Sequence, residues 1–202
     1  MENSELIYYK HKEGVCFRKL RYSDLNSLIK TKLSSWQYTH GFDIITENSQ
    51  KKWFEELESS DNNLVLVGML QSEIGGRPCY DSCGIATFYN IDRHNRSLQI
   101  GGHVYPKFRK TGASIKGWYA GIDFAFEMLN MNRIYGEVLE TNISALKLDE
   151  ATMRKEGIKK QAVYQSGRYL DSHMFGLLRD EWIESDRVKS YNGTCNLNLK
   201  ID

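Results

Sequence analysis

Apolar side chains along this chain repeat every second residue in some stretches and every third or fourth in others, and the switches between the two periods delimit its elements. Val15 to Leu20 alternates well enough for a first strand, and Ser23 then stands where an N-cap would, ahead of Leu25, Leu28, Ile29 and Leu33 at helix spacing. A second helix is predicted from about Glu47 to Glu58, because Trp53, Phe54 and Leu57 fall on one face with charged residues between them. Leu64 to Leu70 and Cys83 to Ile91 read as strands, parted by a loop from Gln71 to Asp81 whose Gly75-Gly76-Arg77-Pro78 is turn chemistry. Asp92 to Arg96 makes another turn before a strand from Leu98 to Tyr105.

The strongest helix pattern follows. Ile115, Trp118, Tyr119, Ile122, Ala125, Phe126 and Leu129 recur at three- and four-residue steps, which predicts a wide apolar stripe lying against a sheet. Arg133 to Leu139 is then a strand and Ser144 to about Met153 a shorter helix. Ile158 to Gln165 and Ser172 to Leu178 form a closing pair of strands joined through Ser166-Gly167-Arg168. After Trp182 the composition turns polar, so residues 1–182 are expected to form one domain and residues 183–202 a polar extension.

Composition narrows the class. A chain of 202 residues can build one domain with a sizeable core, and nothing in it calls for a second. Lysine and arginine number 27 against 26 acidic residues, a formal net charge of +1, so there is no broad electrostatic case for nucleic acid or a membrane surface. Cys16, Cys79, Cys83 and Cys195 are irregularly spaced and have no histidine cluster beside them, so no metal is expected and the thiols read as reduced. Met1 to Glu13 lacks the apolar core of a secretory signal, and no run of about 18 apolar residues occurs, so the expected location is the cytoplasm.

Candidate chemistry concentrates between Val104 and Asn142. A strand ends in Val104-Tyr105-Pro106 and leads into Arg109-Lys110-Thr111-Gly112-Ala113-Ser114, which opens the long helix. Basic side chains, a glycine and small residues at a helix start make an anion site, because the first turn leaves N–H groups unpaired and the helix dipole favours negative charge. A pyrophosphate suits it. The next strand ends at Glu140-Thr141-Asn142, and Glu156-Gly157 and Tyr164-Gln165-Ser166-Gly167-Arg168-Tyr169-Leu170-Asp171 follow. In this order the motifs make the sequence resemble the GNAT acetyltransferases, and within them the RimJ/RimL-like branch. The resemblance runs from about Cys16 to Trp182. It includes Phe17-Arg18-Lys19-Leu20 with Asp24-Leu25, the Pro-x-x-Arg-x-x-Gly loop, Ala125-Phe126, Asn132-Arg133-Ile134, Asn142 with Ser144, and Leu177-Leu178-Arg179-Asp180-Glu181-Trp182.

The resemblance implies an α/β fold of the α+β kind, with a mixed, mostly antiparallel sheet splayed between two parallel strands, helices on both faces, and acetyl-CoA as cosubstrate. Val104 and Tyr105 would hydrogen-bond the pantetheine amides as a β-strand does. The backbone of Arg109, Lys110, Thr111, Gly112, Ala113 and Ser114 would hold the pyrophosphate, with Asn142 also on the cosubstrate. Ser114 stands for the usual glycine or alanine, and Lys110 for a common glycine.

Direct acetyl transfer to an amine needs a base, donors for the oxyanion and a proton for the departing sulfur. Alkyl amines have a reference pKa near ~10.4 and must first lose a proton. The resemblance puts Glu137 where related enzymes carry a basic glutamate; a strand glutamate paired with a lysine is its other reading. His103 is the second candidate, since it precedes Val104 on the strand that meets the acyl group and an imidazole titrates in the useful range; packing is its alternative. Asp149 stands where many relatives have a tyrosine proton donor, and Met153-Arg154 replaces their Gly-Phe. Either burial keeps Asp149 protonated, or Tyr164 or Tyr105 donates, or the thiolate leaves unaided.

Acceptor specificity is expected from Trp36, Gln37, Tyr38, Thr39, His40, Phe42 and Asp43 with Tyr164, Arg168 and Tyr169. These aromatics among polar groups would frame a sugar, a base or a peptide terminus, or else anchor loops. Acidic Asp43, Glu137, Glu140, Asp149 and Asp171 would favour a cationic amine. The leading reading is an acetyl-CoA-dependent N-acetyltransferase for a small-molecule amine, namely an amino sugar, a polyamine or an amine-bearing nucleotide. A protein N-terminus or lysine as acceptor, and a non-catalytic CoA-binding module, are the alternatives. A homodimer is compatible with the sequence.

Overall fold

The structure, a computed structural model, describes residues 7–41, 44–74 and 77–185. Along the chain run β1 (Ile7–Lys10), β2 (Val15–Lys19), α1 (Leu25–Ser34), α2 (Glu47–Glu58), β3 (Leu64–Ile74), β4 (Arg77–Asp92) and β5 (Ser97–Val104). Then come α3 (Ala113–Asp123), β6 (Arg133–Leu139), α4 (Ile143–Thr152), β7 (Arg154–Gln165), β8 (Arg168–Leu178) and α5 (Arg179–Glu184). The strands form one sheet in the order β1-β2-β3-β4-β5-β6-β8-β7. Every neighbouring pair is antiparallel except β5 with β6, which is parallel. This is the mixed, splayed sheet with helices on both faces that the sequence implied.

The bounds of α2 and β6 coincide with the sequence expectation. Thr46 starts α2 as a capping box: its hydroxyl accepts from Ser49 N–H at 3.0 Å while its own N–H donates to Ser49 Oγ at 2.9 Å. Trp53, Phe54 and Leu57 then pack on a cluster that includes Leu20, Leu28, Val65, Val67 and Met69. On the opposite face α3 and α4 cover a larger core with Phe17, Phe88, Leu98, Ile122, Phe124, Ile134, Leu146 and Phe175. Each such large side chain contributes roughly 1.5–3 kcal/mol on full burial.

Three expectations are corrected. Residues 71–74 and 77–81, expected to be loop, belong to strands: β3 and β4 stay paired through Leu70↔Asp81, Gln71↔Tyr80 and Ser72↔Cys79. Their exposed polar side chains looked like loop chemistry, but ladder hydrogen bonds come from the backbone and need no apolar residues. Strand β1 was missing, because four residues flanked by charge give too short a pattern. Finally, Ile115 is 48% exposed, so the stripe on α3 starts one turn later; Ala120, Gly121 and Ile122 carry the contact with the sheet. The helix closes in a π-turn over Phe124–Met128, where Leu129 N–H reaches the Phe124 carbonyl at 3.1 Å.

The last residue of α3 is fastened from two directions. His11 Nε2, just beyond β1, lies 2.8 Å from Asp123 Oδ2, and Trp182 Nε1 of α5 donates to Asp123 Oδ1 at 2.6 Å. His11 and Trp182 are both 7% exposed, so this is a largely desolvated junction.

Candidate active site

The parallel pairing of β5 with β6 lasts only for Ser97↔Arg133, Leu98↔Ile134 and Gln99↔Tyr135. Past that point β5 follows β4 as far as Gly84↔Val104, and β6 follows β8 as far as Leu139↔Ser172. A fork therefore opens at Ile100 and Gly136. Tight coiling of β4 with β5 helps to open it: a Cβ on Gly102 would lie 2.6 Å from the Ile85 carbonyl oxygen, so only glycine fits.

Backbone direction alternates along a strand, so Ile100, Gly102 and Val104 turn their N–H and C=O groups into the fork while their neighbours serve β4. A Cβ on Gly136 would sit 3.4 Å from the Ile100 carbonyl oxygen, in keeping with this direction. Tyr105, expected beside Val104 on the pantetheine, donates its N–H to the Cys83 carbonyl at 2.8 Å instead. Its hydroxyl is buried without a partner and burial pushes it up to about 12. Gly102 takes over the place expected for Tyr105, and the Gly101-Gly102 pair inside a strand was the signal for it.

At the far end of β5 lies the stretch expected to form an anion loop. Lys110 and Gly112 both have left-handed backbone, with φ of 65° and 83°, and the Cβ position of Gly112 has nothing within 4 Å. The first bond of α3 runs from Lys116 N–H to the Gly112 carbonyl at 3.1 Å, which leaves the amides of Ser114 and Ile115 without an intrahelical acceptor, while Thr111 N–H reaches the Phe108 carbonyl and Ala113 N–H the Thr111 hydroxyl, each at 3.4 Å. Thr111 Oγ1 donates to the Phe108 carbonyl at 2.7 Å and stiffens the loop. Ala113 is buried and Ser114 exposed. The Arg109 side chain leaves the loop and donates to Ser34 Oγ of α1 at 2.6 Å. Asn142 caps α4, its side chain accepting from Ala145 N–H at 3.3 Å.

Two carboxylates flank the fork from opposite faces of β6. On the α4 side, Asp149 is 4% exposed, and its Oδ2 lies 4.0 Å from the Cβ that Gly136 lacks. Its side chain makes no hydrogen bond among the described residues, and burial pushes the carboxyl up to about 7. On the α1 side, Glu137 Oε1 pairs with Lys159 at 2.5 Å and Oε2 accepts from Ser172 Oγ at 3.3 Å. His40 Nε2 then lies 2.8 Å from that same hydroxyl. Burial, chiefly, and the Lys159 ammonium hold the His40 imidazole below its ordinary value, against the pull of Glu137. Ser172 is fully buried, and nothing about a serine in a strand singled it out in the sequence.

His103 stands across the fork, in register with Ile85 on the α1 face. Burial first, then Lys32 and Arg109, depress its imidazole, so it is neutral near pH 7. Tyr164 and Tyr169 meet at a 60° tilt near the tip of the β7–β8 hairpin, 5.2 Å between centroids and more than 60% exposed. The adjacent Gln165 donates to the Trp36 carbonyl at 3.3 Å, which brings Trp36, Tyr38 and Arg168 to the same end of the sheet. Phe42 and Asp43 lie outside the described residues. Of the acidic residues expected to favour a cationic amine, Glu137 is paired with Lys159 and Asp171 with Lys160 at 2.7 Å, Glu140 accepts from Asp171 N–H at 3.3 Å, and Asp149 on α4 faces Gly136.

Among the described residues no group of three or more His, Cys, Asp or Glu could hold a metal ion, and no helix is long and apolar enough to cross a membrane. The family profile described as "Acetyltransferase (GNAT) domain" matches residues 15–151. "Uncharacterized N-acetyltransferase p20" of Bacillus licheniformis is 29% identical over 127 residues, 62% of this chain and 67% of the relative. "Putative ribosomal N-acetyltransferase YdaF" of Bacillus subtilis (strain 168) is 28% identical over 101 residues, 50% of this chain and 55% of the relative. The spermidine N-acetyltransferase of Vibrio cholerae, crystallised with CoA and spermine, shares the fold with a TM-score of 0.72 at 17% identity, over 85% of this chain and 99% of that one. With the fork, the anion loop and the matched domain in agreement, the chain belongs to the GNAT acetyltransferases and is an acetyl-CoA-dependent N-acetyltransferase.

Proposed function

We propose that this enzyme acetylates the primary amine of a small molecule, an amino sugar, a polyamine or an amine-bearing nucleotide, by direct attack on a thioester held in the fork. The observation that carries this reading is the pair Asp149 and Glu137, set on opposite faces of β6 where β5 parts from it. The strand edge of Gly102 and Val104 binds the pantetheine, and the loop from Lys110 to Ser114 at the start of α3 receives the pyrophosphate. Asp149 is neutral for part of its population near pH 7, and as an acid it hands its proton to the departing sulfur. Proton removal from the amine belongs to the other face of β6, where Glu137, Ser172 and His40 form a hydrogen-bonded chain and His103 stands across the fork. Trp36 and Tyr38 with Tyr164, Arg168 and Tyr169 frame the acceptor. The free thiols of Cys16, Cys79 and Cys83 support a cytoplasmic setting.

A protein N-terminus or lysine is the second reading, in keeping with the ribosomal acetyltransferase name of the Bacillus subtilis relative. Release of CoA thiol, followed with amino sugars, polyamines, amine-bearing nucleotides and short peptides, decides between them. One small-amine class should exceed every peptide in kcat/KM by about tenfold or more. Peptides outperforming all small amines would overturn the first reading in favour of the second.

A further inference from the structure

We infer that His40 is the base that takes the acceptor's proton, and that Ser172 and Glu137 are positioning residues that fix its tautomer. This rests on the acetyl-transfer reading above. The order of the hydrogen bonds follows from counting protons. Ser172 is fully buried, with one hydroxyl proton and two neighbours, Glu137 Oε2 at 3.3 Å and His40 Nε2 at 2.8 Å. A carboxylate paired with the Lys159 ammonium only accepts, so the hydroxyl donates to Glu137. Ser172 Oγ must then accept, and His40 Nε2 carries the hydrogen. The lone pair is left on Nδ1, which has no hydrogen-bond partner among the described residues, on a ring that is solvent-accessible.

Glu137 itself is poorly placed to be the base. Lys159 occupies one of its oxygens and Ser172 the other. Its charge acts at a distance instead. When the amine N–H bond breaks, the proton bonds to His40 Nδ1 and the electron pair stays on nitrogen for attack at the carbonyl carbon. The imidazolium charge then faces the Glu137 carboxylate through Ser172, the arrangement in which a carboxylate favours a protonated ring. The C–S bond breaks with its electrons on sulfur, which takes the Asp149 proton; the new amide nitrogen gives up its surplus proton to water, Asp149 is reprotonated from water, and His40 returns its own proton there. The charged groups facing His40 among the described residues are Glu137 from β6 and Lys159 from β7, and they act in opposite directions.

The test is the pH dependence of kcat, measured by CoA-thiol release with the best amine of the panel. His40→Gln should lower kcat by ~100-fold and remove the acid limb, while the affinity for acetyl-CoA by calorimetry stays within ~2-fold. Glu137→Gln should move the limb to lower pH, since it removes the group that favours the imidazolium; Lys159→Gln should move it to higher pH. Opposite shifts are not what a purely structural pair of residues would give. Nitrogen-15 NMR of the wild type at pH 8 should find His40 protonated on Nε2, and Ser172→Ala should mix the tautomers. Turnover of His40→Gln within ~3-fold of wild type with its acid limb intact would overturn the assignment. So would a wild-type Nδ1–H tautomer. Wild-type silence across the whole panel, with acetyl-CoA bound, is a different failure and sinks the transfer reading together with the base.

Discussion

Asp149 and Glu137 stand on opposite faces of the same strand and differ chiefly in company. Asp149 has neither a cation nor a hydrogen-bond donor, so desolvation alone governs it and its carboxyl rises to about 7. Glu137 has an ammonium on one oxygen and a hydroxyl on the other. The first is therefore suited to hold a proton and release it, the second to remain charged and steady a neighbour. Two chemically similar groups acquire different tasks from their surroundings, without any change in the residue type that carries the charge.

That contrast depends on the fork, and filling it gives the largest effect. Gly136→Val should cut kcat/KM for acetyl-CoA by ~1000-fold in a steady-state assay, because its methyls enter the space between Ile100 and Asp149. Next comes Asp149→Asn, with an expected ~100-fold loss of kcat. The same variant should be the more stable protein at alkaline pH. The folded-state carboxyl is raised from 3.8 to about 7, so its stabilisation is complete at low pH and is lost as pH rises through about 7. Asparagine removes that loss. Denaturant melts should therefore show no gain near pH 4 and a gain on the order of 2–4 kcal/mol above pH ~8. A flat difference across that range would mean that Asp149 is better solvated than Glu137's opposite number should be.

Gly112→Val tests the loop before α3 that is proposed to receive the pyrophosphate. A branched residue at φ 83° is strained, and calorimetry should show acetyl-CoA binding weakened by ~10-fold. The smallest effect is expected from Tyr164→Phe. Its hydroxyl is on an exposed hairpin tip, and loss of it should change kcat by less than ~2-fold in the thiol-release assay, whereas a larger drop would move the proton donor away from Asp149.

Much of the fold could be read directly, because α2, β6 and the body of α3 carry long regular apolar periods. The anion loop was also legible, since a glycine and basic residues before such a helix have a physical reason to be there. The fork was not written in the periodicity at all; β5 and β6 both read as ordinary strands, and only the resemblance to a family placed a gap between them. Ser172 was invisible because its meaning comes from His40 and Glu137, which lie 132 and 35 residues away along the chain. Pairing over such distances is fixed by sheet register, which no local pattern encodes. Tyr105 was placed beside Val104 by the resemblance alone; that its amide donates to the Cys83 carbonyl is a matter of strand register and could not be read locally.

The junction at Asp123 makes α3 a lever pinned at its distal end. Its first turn is where the pyrophosphate is proposed to sit, while its last residue is gripped by His11 from one flank and Trp182 from the other. A cut after Leu178, or a bulky fusion threaded through α5, would release that grip some ten residues from the loop it steadies. Such a protein would retain its sheet and lose hold of the nucleotide end of its cosubstrate.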